Sequence, residues 1–106
     1  MSSLRMTIPR LLALRAFLED PGQERYGLDL AAEAGLEPGT VYPILVAFEV
    51  AGWLTSREED IDAHAAGRPK RRYYQLTAAG VTAARDAVAA AEKRRSARGG
   101  ARRLAW

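Results

Sequence analysis

PGTVYPILVAFEVAGWL (Pro38–Leu54) and, thirteen residues on, GRPKRRYYQLT (Gly67–Thr77) decide how this chain reads. The first stretch opens on a tight turn, Leu36-Glu37-Pro38-Gly39, with Thr40 as the expected helix cap and Pro43 expected in the first turn. Val41, Ile44, Leu45 and Phe48 then share one helical face at i, i+3, i+4, i+7 spacing, which makes that face core. Gly52 ends the helix, and Trp53–Glu59 alternates as a strand. The second stretch places Arg68 between Gly67 and Pro69 at an expected hairpin tip. Lys70, Arg71 and Arg72 follow at once, feeding the returning strand Lys70–Leu76.

Working outward, Thr7 caps a first helix with Pro9 in its first turn, and Ile8, Leu11, Leu12, Leu14 and Leu18 recur at helical spacing. Leu28–Ala34 reads as a short second helix closed by Gly35. Thr77 caps a last helix from Ala78 to about Ala97, and Gly99-Gly100 is expected to break it. The order helix, helix, turn, helix, strand, strand, helix is α+β and mainly α. It predicts a winged helix-turn-helix with a two-stranded wing and a C-terminal dimerisation helix. Residues 1–77 form the expected DNA-binding domain, 78–98 the dimerisation helix and 99–106 a flexible basic tail.

Charge is segregated along the chain. Residues 1–66 carry 5 basic and 11 acidic side chains, whereas residues 67–106 carry 11 basic and 2 acidic. A split of this kind suits a half that meets a polyanion, although a solvated basic tail would also produce it. Four cations in five positions repel one another, and phosphate oxygens would relieve that repulsion. An arginine at a hairpin tip also fits a narrow minor groove. The alternative is a solvated basic hairpin that discourages edge pairing. The candidate DNA-binding residues are therefore Thr40, Tyr42, Pro43, Arg68, Lys70, Arg71 and Arg72.

Other chemistry finds little footing. There is no cysteine, and the single histidine, His64, lies in a polar loop near Asp60 and Asp62 without an evident ligand spacing. No catalytic triad pattern and no phosphate-cradling glycine loop is visible. The reading is of a non-enzyme without metal or cofactor. No apolar run reaches the ~20 residues of a membrane span, and arginines 5, 10 and 15 interrupt the N-terminal apolar stretch, so a cytoplasmic protein is expected.

The same residues resemble one family, the PadR-type transcriptional regulators, over about residues 8–95. Tyr26-Gly27 is similar to the family's helix-turn-helix entry. Gly39-Thr40-Val41-Tyr42-Pro43 with Leu45, Glu49, Gly52 and Leu54 resembles its recognition helix and exit. Gly67-Arg68-Pro69, Tyr73-Tyr74 and Leu76-Thr77 resemble its wing, and Gly80 stands in the family's place beyond it. One departure stands out. Positions 46–48 are Val-Ala-Phe, where the family usually carries a polar or basic residue or two, and this helix has no cation. The resemblance implies a repressor that dimerises through its last helix on a palindromic operator, in many members released by a small molecule. Val81, Ala84, Val88 and Ala91 supply a 3-4-3 stripe for that dimer, with Leu11 and Leu18 of the first helix completing it; alternatively the last helix folds back on its own domain. The runner-up function is a protein-interaction module that antagonises another transcription factor, suggested by the apolar outer face at Val46 and Ala47.

Overall fold

A computed structural model of the chain describes residues 4–104, with side chains for residues 4–99. The elements are α1 (Ile8–Leu18), β1 (Arg25–Tyr26), α2 (Gly27–Ala34), α3 (Pro38–Val50), β2 (Leu54–Glu58), α4 (Ala63–Ala66), β3 (Arg72–Leu76) and α5 (Ala78–Leu104). Helices α1, α2 and α3 pack around Leu14, Phe17, Leu30, Val41, Leu45 and Phe48, the largest fully buried side chains. The strands form one antiparallel sheet in the order β1-β3-β2, closing the core with Leu54, Tyr74 and Leu76. This is a winged helix-turn-helix, α+β and mainly helical.

Several local features follow from sequence. Thr7 caps α1 by accepting from the Arg10 N–H at 3.3 Å. Gly35 adopts φ 71°, the left-handed geometry that closes α2. Thr77 ties the last helix to the sheet in two directions: its hydroxyl donates to the Gly52 carbonyl at 2.7 Å and accepts from the Gly80 N–H at 3.0 Å.

Other expectations are corrected. Thr40 does not cap α3. Glu37 is the N-cap and Pro38 the first helical residue, because proline's fixed φ and missing N–H suit that position. Pro43 therefore lies inside the helix rather than in its first turn, and leaves the Gly39 carbonyl without its helical partner. The sheet has three strands rather than two, since Arg25 and Tyr26 pair with Tyr74 and Tyr73 along the free edge of β3. The segment between the wing strands is not a bare hairpin: Asp62 caps α4, and Gly67 closes it at φ 69°. Helix α5 passes through Gly99-Gly100 to Leu104. Ala105 and Trp106, the end of the expected tail, lie outside the described residues.

Candidate nucleic-acid interface

The loop between β2 and β3 is organised by one carboxylate. Glu59 receives both terminal nitrogens of Arg68, at 2.7 and 2.9 Å, and the Arg71 N–H at 3.2 Å. Its own N–H donates to the Arg71 carbonyl at 2.7 Å. The Arg68 guanidinium, reinforced by the Arg71 N–H, holds the Glu59 carboxyl at about 2. Arg68 is thus not a free cation at a hairpin tip. It is half-buried against the loop it belongs to, and part of its charge is already matched.

The other wing cations have different neighbours. Arg71 lies over the Tyr26 ring, 4.8 Å from its centroid. Arg72 donates to Ser56 Oγ at 3.1 Å, and Ser56 donates to Glu49 of α3 at 2.8 Å. This relay fastens the wing root to the third helix. Lys70 is exposed, and its side chain makes no ion pair or hydrogen bond among the described residues.

Tyr42 projects from α3 toward the start of α2. A Cβ at Gly27 would stand only 3.1–3.3 Å from the Tyr42 ring and hydroxyl, so glycine permits this approach. Burial, with Tyr26 adding to it, raises the Tyr42 phenol above its ordinary value and keeps it a neutral donor. Neither α2 nor α3 has a side chain capping its N-terminus; α3 opens on Pro38, which has no N–H, and its Thr40 N–H donates to the Glu37 carbonyl at 2.9 Å, so the open N–H groups are those at the start of α2. Tyr42 at Gly27 and Arg71 over Tyr26 thereby meet where α2 begins, with Thr40 and Pro43 exposed one helical turn or less along α3, whereas Arg72 lies with Ser56 and Glu49 toward the other end of α3.

Two residues that sequence reasoning passed over hold this region. Arg25 is 7% exposed and donates to the Ala16 carbonyl at 2.8 Å while pairing with Glu33. It joins α1 to α2 from a strand too short to be recognised. Glu59 had no local signal either, because its partner lies nine positions on.

The expected dimer stripe divides. Ala84 is wholly buried in its own chain, and Leu18 and Val81 pack against that same core. These three face inward, because the first half of α5 folds back over α1, where Arg15 meets Glu92 at 2.9 Å. Leu11 and Ala91 instead line a groove between α1 and α5, together with Ile8 and Arg94, Arg95 and Arg98; its volume is about 410 Å³. Val88 is half-buried. Among the described residues no three His, Cys, Asp or Glu side chains cluster to hold a metal ion, and no helix is long and apolar enough to cross a membrane.

A family model, the transcriptional regulator PadR-like family, matches residues 16–86, from the end of α1 through the first turns of α5. The chain belongs to the PadR-like family of transcriptional regulators. That family is one of DNA-binding regulators rather than enzymes. A PadR family regulator from Eggerthella lenta superposes with TM-score 0.69 at 23% identity, covering 88% of this chain and 83% of that one. One from Clostridium difficile gives 0.70 at 18%, over 89% and 97%. BpsR of Bordetella bronchiseptica, whose DNA binding is regulated by 6-hydroxynicotinic acid, gives 0.68 at 15%, over 88% and 64%. These likenesses establish the fold. No curated protein matches the sequence.

Proposed function

We propose that this PadR-like regulator is a repressor that acts in the cytoplasm, binding a palindromic operator as a homodimer. The observation that carries the DNA contact is the meeting of Tyr42 and Arg71 at the uncapped start of α2, where open N–H groups favour a phosphate. Thr40 and Pro43 extend that surface along α3, and Lys70 and Arg68 extend it onto the wing. The dimer is supported by the far half of α5. Lys93 to Gly99 are all exposed, so this stretch of the helix buries little against its own domain. An isolated helical end is marginal in water, and a second copy would cover it. Its surface would be Leu11, Val88 and Ala91 with Ile8, rather than the inward-facing Leu18, Val81 and Ala84. An anionic small-molecule effector entering the arginine-rich α1–α5 groove would compete with the second copy for Ile8, Leu11 and Ala91.

The test is fluorescence anisotropy on the chain's own promoter region across a salt series. Neutralising four to eight phosphates gives a slope of log K on log salt of about −4 to −7. Binding that is intact with a slope near zero would refute a phosphate-carried contact. Sedimentation should give twice the 11.6 kDa chain mass; a monomer on operator DNA would refute the dimer. A second reading, docking to another transcription factor, is favoured by the exposure of Val46 and Val50. It requires the chain to leave duplexes unbound.

A further inference from the structure

Helix α3 carries apolar residues on both its inner and its outer side, which is the pattern of a helix enclosed within a core. Only one side of it is enclosed. Gly39, Pro43, Val46 and Val50, spaced four, three and four apart, run along the side opposite Val41, Ile44, Leu45 and Phe48. Val46 is 59% and Val50 84% exposed. From Pro43 to Val50 the line is ~10 Å long, at 1.5 Å per residue. That length matches about three base-pair steps.

We infer that this line reads the C5-methyl groups of thymines in the major groove, with Val46 as the specificity-determining residue. The inference rests on the DNA-binding reading of the same helix and deepens it. Residues 38–50 contain no Arg, Lys, Asn or Gln, the side chains that bond guanine or adenine edges in bidentate fashion. Their one carboxylate, Glu49, is held by Ser56 and, through it, by Arg72. Beyond the Thr40 and Tyr42 hydroxyls near its start, what α3 offers a base edge is therefore methyl and ring carbon. The major-groove edge has one apolar feature, the thymine methyl. The occupant must also satisfy the cations flanking this helix. Arg72 stands on the adjoining strand and Lys70 beside it, so an anionic partner with apolar points along its groove complements both features. An apolar protein surface would complement only the first.

The experiment begins by enriching duplexes from a random-sequence library on the intact chain. Each thymine of an enriched duplex is then replaced, one at a time, by deoxyuridine, which removes only the methyl group. At one or two positions per half-site, affinity should fall about three- to fivefold, the transfer value of one methyl group. At one of those positions Val46→Ala should bind the thymine and uracil duplexes equally. Val46 is exposed enough for alanine to leave the fold intact, and a circular dichroism melt confirms this. If every uracil duplex binds like its parent, or Val46→Ala keeps the full discrimination, methyl reading by Val46 is overturned while DNA binding stands. If no duplex is enriched and none binds at low salt, the DNA-binding reading fails as well, and the line is a protein-docking surface.

Discussion

Replacing Gly80 by alanine should cost this protein a large share of its stability, although the change adds one methyl to a helix. A Cβ there would stand 2.0 Å from the Trp53 carbonyl oxygen, 2.8 Å from its carbon and 3.0 Å from its Cα. All three are backbone atoms, so no side chain can swing aside. Ordinary contact lies near 3.5 Å, and restoring it requires a displacement of more than about 1 Å. The Trp53 oxygen cannot yield freely, because it accepts the Thr77 N–H at 2.9 Å at the head of α5. Overpacking of this kind costs about 1–3 kcal/mol, and weakening that hydrogen bond adds about 1 kcal/mol. The better helix propensity of alanine returns up to about 1 kcal/mol. The net is about 2 kcal/mol, which in a domain of this size lowers Tm by about 8–16 °C. A thermal melt at fixed protein concentration reads it, since the proposed dimer would make Tm concentration-dependent. Gly99→Ala in the same helix is the control. Nothing lies within 4 Å of its added methyl, and its Tm should hold or rise. A Gly80→Ala variant as stable as the parent would refute the close seam between α5 and the wing root.

Three further outcomes are expected. Arg68→Ala should weaken duplex binding by about 1–3 kcal/mol and make residues 59–71 more sensitive to protease; unchanged affinity would mean the guanidinium serves Glu59 alone. The Glu59 carboxyl, at about 2 when folded, lies below its unfolded value. Its contribution is therefore fully present above about pH 4.5 and lost as pH falls toward 2. Protease resistance of the wing should be flat from pH 5 to 8 and fall at pH 3, and a change at neutral pH would count against this assignment. Tyr42→Phe removes one hydroxyl from the start of α2 and should reduce affinity by about 1 kcal/mol; equality within error would exclude that hydroxyl as a contact.

The fold was legible where a signal repeats. The spacing of Ile8 to Leu18 and of Val41 to Phe48 marks two helices, and Gly35 and Gly52 mark where chains turn. What escaped was short or non-local. Arg25-Tyr26 is a strand only because β3 leaves an edge beside it, and two residues carry no periodicity. Thr40 looked like a cap until Pro38, a better first residue, claimed the helix start. The small α4 had its signal, Asp62 before it and Gly67 after, but the loop's polarity obscured it. In α5, alanines and arginines carry the helix across Gly99-Gly100. The stripe Val81, Ala84, Val88, Ala91, expected as a dimer surface, holds one buried residue, Ala84, and three half-buried ones. Periodicity shows that a face is covered without showing which neighbour covers it, and half of this one is covered by α1. The candidate site was legible as residue types and illegible as pairings: nothing local joins Arg68 to Glu59 or Arg72 to Glu49.

Those pairings bear on how the regulator divides its work. Residues 27–50, the helix-turn-helix proper, contain four acidic side chains and no basic one. Presented alone to a duplex, this surface would be repelled. Two of the four acids are occupied within the fold: Glu33 by Arg25, and Glu49 through Ser56 by Arg72. The attraction must then come from the wing, whose cations sit on a different element from the helix that meets the bases. Such a division works only if the two elements are held in register. The Glu49–Ser56–Arg72 relay on one side and the Tyr42–Gly27 approach, with Arg71 over Tyr26, on the other provide that register. In the arrangement proposed above, the wing would govern how strongly and how salt-dependently the protein holds DNA. Helix α3, with no cation and its one carboxylate already engaged, would govern which sequence is held.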